Sequence, residues 1–356
     1  MTSPNLAALL PALAPLAVAK ARFLLGELTD LLLKPGSTFS LASLACALII
    51  AAGFLAARRL LRGRRLRPGV ILRALFPRWL VRSASTRADM GFFLLNVFAL
   101  GGMIGWALIS YSTVSQFTEH ALGRAWGRGG FLHPPPLAAE VALTLVSFLT
   151  YELAYWLDHY LSHEVPFLWE FHRVHHTAET LTPLTVFRVH PIDTLVFYNI
   201  TALIMGAVNG LAIWMLGWPA SPATLFGANV LLLGFVFLTI HLQHSHMWIA
   251  FTGAWGRIFA SPAHHQIHHS ADPAHFGKNL GSCLALWDWV FGTLRIPTAA
   301  REPLVYGVEP GLERPHTITG GLVTPFVRAF GGLWRVIAGV GGALAVGLHN
   351  ERRRAG

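Results

Sequence analysis

The chain has 356 residues, of which 54% are hydrophobic and only 12% charged. A soluble globular domain carries about 25% charged residues, so this composition argues for burial in lipid. The formal net charge is +10 and there are two cysteines, Cys46 and Cys283, too few for a disulfide framework or a thiolate metal site. They read as small buried hydrophobes.

In chain order, residues 1–33 are apolar but broken by Pro4, Pro11 and Pro15, then by Lys20, Arg22, Glu27 and Asp30. They read as an interfacial helix or a weak extra span, with no signal-peptide cleavage site. Thr38 to Ala57 is a candidate membrane span, free of charge and about the 20 residues that a bilayer requires. Arg58, Arg59, Arg62, Arg64, Arg65 and Arg67 follow at once, then Arg73, Arg78, Arg82 and Arg87. Directly beside an apolar helix, such a cluster reads as a cytoplasmic flank rather than a nucleic-acid site. Gly91 to Thr113 is a second span, and Leu137 to about Trp156, carrying Glu140 and Glu152, a third. Thr194 to Gly217 and Pro222 to about Ile240 form a hairpin of two more. A weakly amphipathic helix is expected over Gly321 to Leu348, and Glu351 to Arg354 should stay in water. No internal repeat and no soluble second domain is apparent.

With the arginine cluster placed in the cytoplasm, five spans put every dense histidine group on the cytoplasmic side. The expected fold class is therefore all-α: a polytopic membrane helical bundle with a cytosolic histidine-rich cap. Its expected divisions are N-terminal membrane helices and a basic loop over 1–137, a histidine-rich unit over 138–310 and an amphipathic tail over 311–356.

Histidine is the outlier, with 18 residues unevenly spread. His159 and His163 are spaced i,i+4. His172, His175 and His176 form His-x-x-His-His, and His265, His268 and His269 repeat it. Residues three and four apart share a helix face, so both imidazoles of such a pair can reach one metal ion. The His-x-x-His-His form sets two ligands one turn from the first, close enough to bridge two sites. Eight or more imidazoles exceed what one zinc or haem takes and fit two metal ions. Imidazole suits Fe, Zn, Cu and Ni alike, so ligand type alone does not choose the metal.

His241, His244 and His246 lie between the last two boxes. His264 falls out of the box register, and His120, His133, His316 and His349 read as ordinary core or interface residues. His246 and His275 are open between ligand and bystander. His190 reads as a ligand, an outer donor or a headgroup contact. Asp158, Asp193 and Asp288 are carboxylates that could orient imidazoles through their free N–H, or serve as ordinary caps or surface pairs. No zinc-protease helix follows His163-Glu164, and no phosphate-cradling glycine loop precedes a basic residue.

At these residues the chain resembles the fatty acid hydroxylase and sterol desaturase superfamily, whose signature is His-x-x-x-His followed by two His-x-x-His-His boxes. The likeness runs from about Val141 to Gly307. It includes Ser261-Pro262, Lys278-Asn279-Leu280-Gly281, Trp287-Asp288 and Phe291-Gly292-Thr293. His244-Ser245-His246 resembles the stretch where members carry an additional ligand. The resemblance implies a helical membrane protein with a cytosolic di-iron site, two Fe2+ that use O₂ to hydroxylate or desaturate a lipid. It implies as ligands His159, His163, His172, His175, His176, His265, His268 and His269, with His244 and His241 as ninth and tenth. His241 and His244 are spaced i,i+3 where some members show i,i+4. Asp158, His190, His246, Asn279 and Asp288 are the expected outer-sphere supports. No flavin or nicotinamide fingerprint and no haem domain appears, so a separate ferredoxin- or cytochrome-type donor is implied. A non-catalytic metal- or haem-binding membrane protein is the reading from another class.

Overall fold

The computed structural model describes residues 6–100, 108–308 and 315–335. Helix α1 (Leu6–Leu33) runs through Pro11 and Pro15. Helix α2 (Leu41–Leu61) starts where the Ser40 hydroxyl accepts from the Ser43 amide, a side-chain cap for a free N–H of the first turn. The basic stretch after it folds as α3 (Pro68–Leu75) and α4 (Arg78–Arg82). Helix α5 (Ala84–Leu94) continues as a π-helical turn to Leu100. Then come α6 (Tyr111–Trp126) and α7 (Pro136–Glu164).

Val165 ends α7 because Pro166 cannot continue it, and Pro166 in turn opens α8 (Pro166–His176). That break folds the second histidine box back beside the first. Helix α9 (Pro191–Leu216) follows, closed by Gly217 in the left-handed region at φ 74°. A two-stranded hairpin, Thr224–Leu225 on Ala228–Asn229, leads into α10 (Val230–Gln243), π-helical over Val236–Ile240. Two short helices, α11 (Gly253–Ile258) and α12 (Pro262–His268), bracket the approach to the third box. Helix α13 (Leu286–Phe291) and a last helix over residues 318–335 complete the described chain.

The fold is thus all-helical apart from that hairpin and isolated bridges. Three described helices are long and apolar enough to cross a membrane: α2, α7 and α9, with window hydropathies of 2.0, 1.5 and 1.7. Only 11% of the α9 window is buried within the protein, so its apolar surface needs lipid. The other two expected spans differ. Pro222 to Ile240 spends its first residues on the hairpin, which leaves α10 too short to cross alone. Gly91 to Thr113 is cut by residues 101–107, outside the described residues. So are residues 336–348 of the expected tail helix, His349 and Glu351 to Arg354.

Helix packing follows membrane rules. Gly206 and Gly210, four apart on α9, face α6, and a Cβ at Gly210 would collide with the Ser115 carbonyl oxygen. Small residues at this spacing let two backbones approach closely. Asn209 seals the contact by donating to Ser115 Oγ at 2.8 Å. Toward the histidines, α2 packs Ala47 and Ala51 on Leu242 and Met247. Helix α5 is tied to the segment after the second box by a fully buried ion pair, Arg188 to Asp89 at 3.3 Å. Thr182 and Thr185 also donate to Asp89 Oδ2, so that oxygen of the buried carboxylate is hydrogen-bonded while Oδ1 faces Arg188.

Candidate metal centre

The three boxes converge from α7, α8 and α12, with His244 entering from the end of α10. Their imidazoles sort into two groups, each with its ligand nitrogens within 4.8 Å of one another. The first group holds His159, His163, His172, His176 and His268; the second holds His175, His244, His265 and His269. Each His-x-x-His-His box is divided the same way. Its i,i+4 pair goes to one group, and the middle residue, about 60° to 100° round the helix, goes to the other.

The nitrogens have the environment of metal ligands. In the first group the Nε2 atoms of all five histidines are buried without a hydrogen-bond partner. Buried polar atoms are otherwise nearly always paired, so five convergent unpaired nitrogens fit the donor set of a metal cation. In the second group, His244 Nε2 lies 3.1 Å from His175 Nε2, 3.1 Å from His269 Nε2 and 2.9 Å from His265 Nε2. Two nitrogens bound at about 2.1 Å and at right angles on one ion stand about 3.0 Å apart. The two groups adjoin, with the rings of His176 and His269 at 4.7 Å.

Ring orientation is fixed from behind. His159 Nδ1 donates to the Leu280 carbonyl at 2.7 Å, and His268 Nδ1 to the Lys278 carbonyl at 3.0 Å. His172 Nδ1 pairs with Asp193 at 3.2 Å. A donor bond at Nδ1 leaves the Nε2 lone pair free to bind metal. Burial holds His175, His176, His265 and His269 well below the usual imidazole range. It pushes His244 and His268 down to about 3. These rings are therefore neutral, the form that ligates.

The carbonyls are themselves held by carboxylates. Asp288 accepts from the Leu280 and Gly281 amides, both at 2.8 Å, and from Thr293 and Trp156. Glu152 accepts from the Cys283 and Leu284 amides, each at 2.8 Å. Asp288 thus acts on His159 through Leu280 rather than by touching a ligand. The Leu280 and Lys278 carbonyls and Glu152 have no place in the sequence reading. Backbone groups carry no sequence signal, but a carboxylate inside an apolar span does.

Several expected residues sit elsewhere. His241 joins neither group; its Nε2 meets Ser43 Oγ at 2.9 Å, because the turn from α10 carries His244 inward and leaves His241 facing α2. His190 caps α9, accepting from the Ile192 amide, and meets the Leu322 carbonyl at 3.1 Å. His246 meets the Ala74 carbonyl at 2.7 Å. Asn279, at φ 58°, binds the His264 and Arg295 carbonyls and so shapes the loop between the third box and α13. Asp158 is buried, but its Oδ1 has no partner. His264 turns away from both groups, to Ser261 and to the Gly256 carbonyl at 3.0 Å. His275 is buried outside both groups.

A cavity of about 490 Å³ adjoins the first group, lined in part by His163, His176 and His268.

Residues 144–293 match the fatty acid hydroxylase family model, a stretch that contains all nine grouped histidines. The chain is 32% identical over 162 residues to ornithine lipid hydroxylase OlsE of Rhizobium tropici, covering 46% of this chain and 44% of that protein. It is 28% identical over 167 residues to alkylglycerol monooxygenase of Xenopus tropicalis, covering 46% and 32%. Cholesterol 25-hydroxylase of Homo sapiens is 25% identical over 177 residues, covering 48% and 58%. The matches thus cover between about a third and three fifths of the length of these relatives. No solved structure matches it.

Proposed function

We propose, from the match of residues 144–293 to the fatty acid hydroxylase family model, that the protein is a membrane-bound di-iron oxygenase that hydroxylates a C–H bond of a lipid. The observation that carries this reading is the pair of buried imidazole groups, five and four strong, whose nitrogens converge. His159, His163, His172, His176 and His268 hold one ion, and His175, His244, His265 and His269 the other. All-imidazole ligation also admits zinc, copper or nickel; the choice of Fe2+ rests on the family.

When bound, the two ions supply the reduction of O₂ and the removal of hydrogen from carbon, so that C–H, O₂, two electrons and two protons give C–OH and water. The protein's own work is to fix geometry. Asp193 and the Leu280 and Lys278 carbonyls lock three rings, while Asp288 and Glu152 hold the loop that carries Leu280. The two electrons come from a separate ferredoxin- or cytochrome-type donor. Exposed Arg62, Arg64, Arg65 and Arg67 give an acidic donor a docking face. The catalytic unit extends over residues 138–310, between membrane helices in 1–137 and a tail in 311–356, and its histidine face lies in the cytoplasm.

A desaturase with the same ligands is the alternative, but the three relatives named above are hydroxylases and monooxygenases. A metal carrier would hold its ligands at mid-membrane along a pathway; here they cluster at the end of α7 and in the segments beyond. The test is lipidomics on cells with and without the gene, with iron counted in protein purified without oxygen. A lipid gaining one oxygen and two irons per chain are expected. A lipid losing two hydrogens instead would select the desaturase, and one ion or none in active protein would refute the di-metal reading.

A further inference from the structure

The cavity beside the five-histidine group has a lining unlike that of an acyl-chain tunnel. Around His163, His176 and His268 stand Glu164, Arg173 and Ser270, with Trp169 and Phe276. At about 490 Å³ it is of the size that holds small molecules. No member of the four-histidine group lines it. A second, apolar cavity of about 240 Å³ lies among the spans, between Leu143, Tyr151, Met205 and Leu232, and no histidine lines that one.

Depth in the membrane agrees with the polar lining. Helix α7 has 29 residues, about 43 Å at 1.5 Å each. The hydrocarbon core is about 30 Å thick, and about 40–45 Å with both headgroup layers. A helix of this length that begins in one headgroup layer carries Glu164, its last residue, to the other. Glu164 has no hydrogen-bond or ion-pair partner among the described residues. Arg173 pairs with Glu170 through Nη1 at 3.2 Å, while its Nε is buried without a partner. An acyl tail filling this space would strip water from the Glu164 carboxylate and leave the buried Arg173 Nε unpaired, which is unfavourable. A guanidinium matches a carboxylate or phosphate, and a free carboxylate matches an ammonium.

We infer that this cavity is a headgroup site: it receives a zwitterionic lipid headgroup, with the oxyanion at Arg173 and the ammonium at Glu164. The oxidised C–H bond then lies in or next to the headgroup rather than far along an acyl chain. The inference rests on the lipid-oxygenase reading for its chemistry, but the binding can be tested without turnover.

The full chain in detergent, with its metal, is titrated calorimetrically with three short amphiphiles. These are dihexanoyl-phosphatidylethanolamine (a phosphate zwitterion), O-hexanoyl-serine (a carboxylate zwitterion) and neutral hexanoylglycerol. At least one zwitterion should bind about tenfold or more tightly than the neutral compound, and the first two arms distinguish phosphate from carboxylate. Glu164→Gln and Arg173→Gln should each erase most of that preference at unchanged metal content. Should Arg173→Gln lose metal, the exposed Glu164 variant carries the test. Equal binding of all three amphiphiles, or a preference that survives both variants, would overturn the site. So would product whose added oxygen maps to the distal acyl chain. A zwitterion preference without any oxidised lipid would instead refute the proposed activity and leave the headgroup site standing.

Discussion

His264 and His265 are adjacent in sequence, yet the structure gives them different work, which makes the pair a sharp test of the metal centre. His265 Nε2 lies 2.9 Å from His244 Nε2 and 3.1 Å from His269 Nε2. Replacing it with alanine leaves three imidazoles in that group. Loss of an outer-sphere partner typically costs 10- to 100-fold in metal affinity, and loss of a direct ligand more. Iron should therefore fall from two ions per chain to about one, because the five-histidine group keeps every member. His264 is 1% exposed and closes a reciprocal cap with Ser261 while its other nitrogen meets Gly256. His264→Ala removes a cap worth about 1 kcal/mol and strands a buried carbonyl at about 1–3 kcal/mol. At roughly 2–4 °C per kcal/mol, the unfolding midpoint should drop by roughly 5–15 °C with both ions retained. The assay is iron per chain by mass spectrometry on protein purified without oxygen, beside thermal unfolding in the same detergent. Loss of an ion from His264→Ala at an unshifted midpoint, or two ions retained by His265→Ala, would refute the ligand register.

The division of the second box predicts that His175→Ala, which leaves three imidazoles, empties the four-histidine position, while His172→Ala, which still leaves four in the other group, weakens that ion without removing it; metal counting with chelator competition decides. Asp193→Asn should weaken metal binding about 10- to 100-fold by loosening the His172 ring, measured by chelator competition, whereas His241→Ala should leave ion content at two. Gly210→Leu should destabilise by at least about 1–3 kcal/mol, since its side chain would enter the α6 backbone; an unchanged unfolding midpoint would show that α6 and α9 do not pack as described. Reporter fusions after Arg67 and after Pro297 should report the same side of the membrane, and opposite sides would overturn the cytoplasmic placement of the histidine face.

Much of the centre was legible because metal ligation and helix geometry share a period. His159 with His163, and the outer members of each His-x-x-His-His box, stand one turn apart, so spacing alone says that each pair reaches one ion. The spacing did not show that the middle histidine of each box joins the neighbouring group, as it does here. The positions of His241 and His244 were not legible. Both lie where α10 gives way to a turn, and the helical period stops predicting direction there. Hydropathy likewise does not record that the first residues of the apolar stretch Pro222 to Ile240 form a hairpin, with α10 beginning only at Val230.

The sequence by itself determined that the chain is a helical membrane protein with imidazoles spaced to share helix faces, because hydrophobic content, charge scarcity and i,i+3/i,i+4 periodicity are local properties. Only the tertiary structure decided how pairs from different boxes sort into the two groups. It also decided that Leu280 and Lys278 carbonyls orient two of them, that Asp288 and Glu152 hold the loop carrying Leu280, and that a polar cavity opens on one group alone. Those are contacts between segments such as α7 and the 278–285 loop, over 100 residues apart in sequence. They depend on how helices pack, and no pattern within either segment encodes them.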